Sequence, residues 1–268
     1  MQRRELVRSG LFGVAAAAAG AAHAAQDAAP AKKRLSENWD VVVVGAGFAG
    51  MCAALEAAER GAKTVLLEKM NRPDGATVYS SGWIAAVGSR FQKNHPEDSP
   101  KAFFEDMMRL SHQRSDPELI KVYAEESGAG IDWLADHGTP FYLWEGLPAP
   151  ELSRCLISPG EGITGGSKLI RCLMAALEKK GVAIHYNTKA VSLVKDECFN
   201  VEGVSCITPE GRKDYLARGG VILTTGGYGA NEAMVDKYIG PWASRLIVRG
   251  SPWITGENIL MAEEGQAL

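Results

Sequence analysis

Several familiar chemical signatures are missing from this sequence of 268 residues. Its five cysteines, Cys52, Cys155, Cys172, Cys198 and Cys206, include no pair in the C-x-x-C spacing of a zinc or redox site. Their odd number argues against a complete disulfide framework, so they read as small core residues. The histidines, His23, His95, His112, His137 and His185, form no i, i+4 pair, and no metal site is expected. Lys and Arg do not cluster, and the net charge is −3, which excludes an extended nucleic-acid surface. The apolar run Leu11–Ala22 falls short of the roughly 20 residues that cross a bilayer, so no membrane span is expected. What remains is an ordinary soluble composition, 46% hydrophobic and 23% charged, which rules out collagen-like, coiled-coil and disordered classes.

The N-terminus is organised as an export signal. Arg3-Arg4 and Arg8 form a basic head, Leu11–Ala22 a short apolar stretch, and Ala22-His23-Ala24 a small-residue exit. Arg3-Arg4 followed by Leu6 looks like a twin-arginine signal. Residues 1–24 are therefore expected to be a cleaved signal peptide and the protein periplasmic. Residues 25–36, rich in Ala, Lys and Pro, read as a linker, and residues 37–268 as the folded domain.

The fold should open with Trp39–Val44, a β-branched run of the kind buried on both faces of a parallel sheet. Gly45-Ala46-Gly47-Phe48-Ala49-Gly50 follows at once, then a helix-forming stretch from Met51 to Arg60 and a second strand, Lys63–Leu67, closing on Glu68. Each glycine has a task. Gly45 permits the tight turn, Gly47 lets the backbone approach a pyrophosphate, and Gly50 lets helix and strand pack closely. The helix N-terminus offers free N–H groups to phosphate oxygens. Glu68, 23 residues after Gly45, is placed to accept hydrogen bonds from a ribose diol. The set predicts a dinucleotide site but leaves NAD and FAD both open. A loop of small and hydroxyl residues follows from Met70 to Trp83, where further βα units of a nicotinamide dehydrogenase would be expected. Small side chains there leave room for a flat ring.

From these residues onward the chain resembles the FAD-binding part of the fumarate reductase/succinate dehydrogenase flavoprotein family, in its flavocytochrome c and tricarballylate dehydrogenase-like branch. The resemblance runs in family order through Asp98–Asp106, Asp116–Leu119, Ile131–Gly138, Gly165–Leu169, Asn187–Val191, Gly219–Gly229 and Thr255–Glu264. It implies an α/β, Rossmann-like FAD-binding domain: a parallel sheet with helices and a small antiparallel β-meander over 187–218 before a final parallel strand. It implies FAD contacts at Gly45 to Gly50, Glu68, Lys69, Gly75, Ala76, Thr77, Ser81, Gly82, Ala190, Thr225, Gly226, Gly227, Thr255, Gly256 and Glu257. Ala76 stands where covalently flavinylated members carry His, so FAD is expected to be held non-covalently. Trp83 stands where many members have a second Gly, so its ring either narrows the pocket or packs outward. Glu257-Asn258 replaces the usual Asp-Gly.

The sequence stops at Leu268, inside an expected helix, whereas family members continue into a capping domain. The expectation is the N-terminal portion of a longer flavoprotein, capping domain absent. The implied parent chemistry is hydride transfer between flavin and a small unsaturated carboxylate, with an electron-donor protein or cytochrome as partner. No residue here is assigned as catalytic, and Arg154, Arg249 and His137 read as structural or surface charges. Two alternatives stay open: a non-catalytic FAD-binding fragment, and an NAD-dependent Rossmann dehydrogenase.

Overall fold

The structure, a computed structural model, describes residues 35–93, 98–144, 154–160 and 162–265. The expected signal peptide, residues 1–24, lies outside the described residues, as does all of the expected linker except Leu35 and Ser36. Those two residues belong to strand β1, Leu35–Val44, which is longer than its apolar run. Glu37 anchors the extension by an ion pair with Lys213, and Lys63 sits over the Trp39 ring at 4.5 Å.

β1 pairs in parallel with β2, Thr64–Leu67, in the register Val41 to Thr64 through Val44 to Leu67. Between them α1, Phe48–Glu59, makes the crossover that parallel strands require. β6, Ala183–His185, continues the parallel sheet beyond β2. On the other side of β1 stands the meander of β7, Lys189–Lys195, β8, Val201–Thr208, and β9, Gly211–Leu223, giving the order β6-β2-β1-β9-β8-β7.

Here the structure corrects one expectation. The last strand of the meander and the final parallel strand are a single element of 13 residues. The first half of β9 pairs antiparallel with β8 as far as Leu216. Its second half runs alongside β1, with Arg218 ion-paired to Asp40 and the Thr224 N–H donating to the Val44 carbonyl at 2.9 Å. Gly219 and Gly220, inside this strand, make the changeover possible. A Cβ at Gly219 would stand 2.9 Å from the Asp40 carbonyl oxygen, so only glycine lets β1 approach this closely.

Alternation along the central strands builds two apolar layers. Val43 and Leu66 face one cluster, with Met51 and Leu55 of α1. Val42, Val44, Val65 and Leu67 face the other, with Val204, Cys206 and Tyr215 of the meander. The first layer is completed by α3, Pro117–Asp136, and α4, Gly165–Lys180, through Ile131, Leu134, Leu169, Leu173 and Leu177. α2, Pro100–Leu110, packs Phe103 into a smaller cluster with Val87 and Ala124. A second sheet that the sequence does not announce joins β3, Trp83–Ala85, to β5, Cys155–Ile157, and β4, Tyr142–Leu143. At its edge Arg154, 7% exposed at the side chain, is ion-paired to Asp98 at 2.6 Å and Asp106 at 2.7 Å. The chain ends its described part with α5, Glu232–Tyr238, and α6, Glu257–Gly265. No helix among the described residues is long and apolar enough to cross a membrane.

Candidate functional site

The carboxyl ends of β1, β2 and β9 meet at one edge of the sheet, where ligands of doubly wound folds bind. The turn there is compressed. Gly45 has φ +105°, and a Cβ on it would lie 2.7 Å from the Thr224 carbonyl oxygen. A Cβ on Gly50 would lie 1.9 Å from the Gly45 oxygen. Gly47 differs: its Cβ would meet only the Asp74 oxygen at 3.7 Å, so the space beside it is open. The open space belongs to a groove of about 300 Å³.

α1 begins at this groove with Gly47 as N-cap and no side chain bonded to its first N–H groups. Ser99, Asp116, Thr164 and Asn231, by contrast, cap the starts of α2, α3, α4 and α5 with their side chains. An uncapped helix start with donors turned to a groove is an anion site, suited to a pyrophosphate.

Glu68, at the end of β2, is 7% exposed. One of its carboxylate oxygens accepts from the Ala46 N–H and the other from the Met70 N–H, both at 2.8 Å. Its first task is thus to hold the glycine turn; the remaining lone pairs can accept from a ribose hydroxyl. Thr224 performs a related task from β9, its hydroxyl donating to the carbonyls of Val44 at 2.7 Å and Gly45 at 3.1 Å.

The opposite wall is a polar clasp. The Lys69 ammonium donates to Glu257 Oε1 at 2.7 Å and to the Thr255 hydroxyl at 3.0 Å, and that hydroxyl donates to the same Glu257 oxygen at 2.7 Å. Burial pushes the Glu257 carboxyl up, but the hydrogen bonds from Lys69 and Thr255 outweigh it and hold the group below the ordinary carboxylate value. Its other oxygen, Oε2, is buried without a protein partner. Beside it the Asn258 N–H donates to the Thr225 hydroxyl at 3.0 Å, tying the start of α6 to the end of β9.

Most of the residues expected at the cofactor line this groove: Gly45, Gly47, Phe48, Ala49, Glu68, Lys69, Gly75, Ala76, Thr77, Ala190, Thr225, Gly226, Gly227 and Glu257. Six do not. Ala46 and Gly50 are consumed by the turn. Thr255 stands behind Glu257, and Gly256 is packed on Met234. Ser81 faces a second cavity with Ser158 and Thr164, and Gly82 is pressed against Gly165. Trp83 packs outward, half exposed and stacked on Trp144 with ring centroids 6.0 Å apart.

Among the groove residues that the sequence reading did not name as contacts are Asp74, Thr188, Ser251, Trp253 and Ile254. Thr188 lay in the Asn187–Val191 stretch that carries the resemblance, and Asp74 in the Pro-Asp-Gly of a turn; Asp74 is 4% exposed and accepts from the Gly75 N–H at 2.6 Å. Among the three charges set aside, Arg154 is locked in its ion pairs and His137 lies between α1 and α3. Arg249 is exposed and does not line the groove.

The groove's features fit FAD: a backbone cradle that a Cβ would fill, an uncapped helix start, and an orphaned buried acceptor for a sugar hydroxyl. Comparison with known proteins agrees. The chain is 31% identical over 230 residues to a probable fumarate reductase of Shewanella frigidimarina, covering 85% of this chain and 39% of that protein. It is 35% identical over 241 residues to a urocanate reductase of Eggerthella lenta, covering 87% and 39%. The open conformation of a flavocytochrome c3 fumarate reductase superposes with a TM-score of 0.77 at 31% identity, covering 92% of this chain and 43% of that one. The chain thus spans about two fifths of the length of these relatives. Residues 40–267 match the family described as the FAD binding domain, and the protein belongs to that family of flavoproteins.

Proposed function

We propose that this chain is the cofactor-holding part of an FAD-dependent oxidoreductase that moves a hydride between flavin and a small unsaturated carboxylate. The observation that carries the reading is the uncapped start of α1 at the compressed Gly45–Gly50 turn, facing a groove whose other wall holds the Glu257 carboxylate. FAD, when bound, supplies the two-electron chemistry; the protein supplies position and charge. The N–H groups of Phe48 to Gly50 bind the pyrophosphate. Glu68 and Glu257 accept from sugar hydroxyls. The Ala76–Thr77 and Thr225–Gly227 backbones line the path of the ring. Relatives named for fumarate and urocanate reduction support the substrate class, and a cytochrome or other electron-donor protein is the proposed partner.

The test is to reduce the FAD-loaded protein with dithionite and add fumarate, acrylate or urocanate without oxygen. Return of the oxidised flavin spectrum with one of them supports the reading; no return with any, from protein that has bound FAD, supports the second reading below, and a protein that takes up no FAD sinks both. A second reading, FAD binding without turnover by this chain, is favoured by Arg154, Arg249 and His137 all standing away from the groove, and the same experiment decides it.

Ala76 offers no side-chain nucleophile to the ring, so FAD is held non-covalently. Acid precipitation should leave all yellow colour in the supernatant, and coloured pellets would overturn this. We also propose periplasmic export through Arg3-Arg4, with residues 1–24 removed, 25–36 a linker and the domain following. Arg3→Lys with Arg4→Lys should retain the uncleaved protein in the cytoplasm, and unchanged export would refute the role of the pair.

A further inference from the structure

Lys69 follows Glu68 directly, and the two side chains serve opposite walls of the groove, as neighbours leaving a strand do. Glu68 turns under the glycine loop, with one N–H on each oxygen. Lys69 reaches across to a residue 188 positions later in the chain. Its ammonium, on a side chain 23% exposed, is engaged on this wall of the groove. It spends two hydrogen bonds on Glu257 Oε1 and on the Thr255 hydroxyl that serves the same oxygen. One oxygen of Glu257 therefore receives both donors of the clasp. The other, Oε2, receives none, although it is buried and its residue lines the groove.

A buried carboxylate oxygen left without a donor is costly unless a ligand supplies one. The donors that FAD can bring are its sugar-chain hydroxyls, the adenosine ribose diol and the ribityl triol. We infer that Lys69 is a positioning residue, not a phosphate contact: it fixes one oxygen of Glu257 so that the other is presented as the acceptor for a sugar hydroxyl of FAD. This rests on the FAD reading above. It also accounts for the longer side chain at 257. The extra methylene carries the carboxylate out to the lysine, and a charge-assisted bond holds a group that would otherwise be free to rotate.

The experiment is a titration of the FAD-free protein with FAD, followed by flavin fluorescence, on wild type, Lys69→Met, Lys69→Arg, Glu257→Gln, and Lys69→Met combined with Glu257→Gln. Lys69→Met should weaken FAD roughly tenfold, and Lys69→Arg should recover most of the loss. In the Glu257→Gln background, Lys69→Met should cost little, because the lysine acts through the carboxylate. The double variant also removes the unpaired buried charge, so it stays measurable if Lys69→Met alone unfolds.

Parallel titrations with ADP and with riboflavin locate the hydroxyl. A Lys69 effect confined to ADP assigns the ribose, and one confined to riboflavin assigns the ribityl chain. Wild type that binds no FAD would remove the parent reading. Wild type that binds FAD, with Lys69→Met equally costly in both backgrounds, would overturn only the positioning role and return Lys69 to a direct phosphate contact. Unchanged affinity in Lys69→Met would overturn it as well.

Discussion

At the scale of single residues, two glycines three positions apart carry different constraints. A methyl at Gly50 would fall 1.9 Å from the Gly45 oxygen, inside the turn itself. A methyl at Gly47 meets nothing closer than 3.7 Å, but it occupies the space where a pyrophosphate would lie. Gly50→Ala should therefore lower the melting temperature of the FAD-free protein or prevent folding. Gly47→Ala should melt normally and lose FAD affinity by about tenfold or more. Equal melting losses in the two variants would show that Gly47 is there for the turn alone. The packing roles of Gly45 and Gly50 were legible because close approach leaves a local signature of spacing. The second jobs of Glu68 and Lys69 were not. The Ala46 N–H and the Glu257 carboxylate lie 22 and 188 positions from their partners, and nothing in the spacing of a motif records a hydrogen bond of that range.

At the scale of elements, apolar runs made the central strands readable, and the starts of three helices carry a local record as well. Ser99-Pro100, Asp116-Pro117 and Thr164-Gly165 each place a side-chain acceptor just before a helix. The small sheet was not readable, because β3 to β5 are strands of two or three residues with too few positions to alternate. One contact between elements sets a pH dependence. His137, at the end of α3, places Nε2 at 2.9 Å from Glu59 on α1 and Nδ1 at 2.7 Å from the Trp133 carbonyl. Both neighbours are acceptors, so the ring satisfies them only as the imidazolium. Burial pulls its pKa down, but the bonds to Glu59 and Trp133 outweigh it and leave the value above the ordinary 6.5, with the Asp136 charge adding to the rise. Glu59 shifts the other way, lowered first by its bond to His137, with a smaller pull from Lys180. A raised histidine stabilises fully below 6.5, and the gain is lost as pH rises through the folded value; the glutamate's share is lost as pH falls below its lowered one. The melting-temperature advantage of wild type over His137→Gln should thus be largest near about pH 5.5 and shrink by about pH 9. A constant advantage across that range would show that the clip acts by packing alone.

At the scale of the whole molecule, the doubly wound plan was legible from strand, glycine turn, helix and acid in order, while the surface was not, because burial depends on what the fold brings alongside. The segment between α5 and α6 shows this. Ile239, Trp242, Leu246, Ile247 and Val248 are of types that usually pack in a core, yet Ile247 is 89% exposed, Leu246 62% and Trp242 57%. Scattered apolar side chains on a surface need no explanation, but five within ten residues of chain make a patch of the kind that marks an interaction site or an aggregation liability. None of the five lines the cofactor groove, so their exposure is not accounted for by FAD. The isolated 268-residue chain should therefore associate with itself as its concentration rises. Trp242→Arg with Ile247→Lys should reduce that association by adding charge to the patch, and should leave FAD affinity unchanged because the groove is untouched. Sedimentation velocity over a concentration series checks both statements. A wild-type chain that stays monomeric throughout would show that the patch is too small or too broken to drive contact. Association that persists in the double variant would place the sticky surface elsewhere on the molecule.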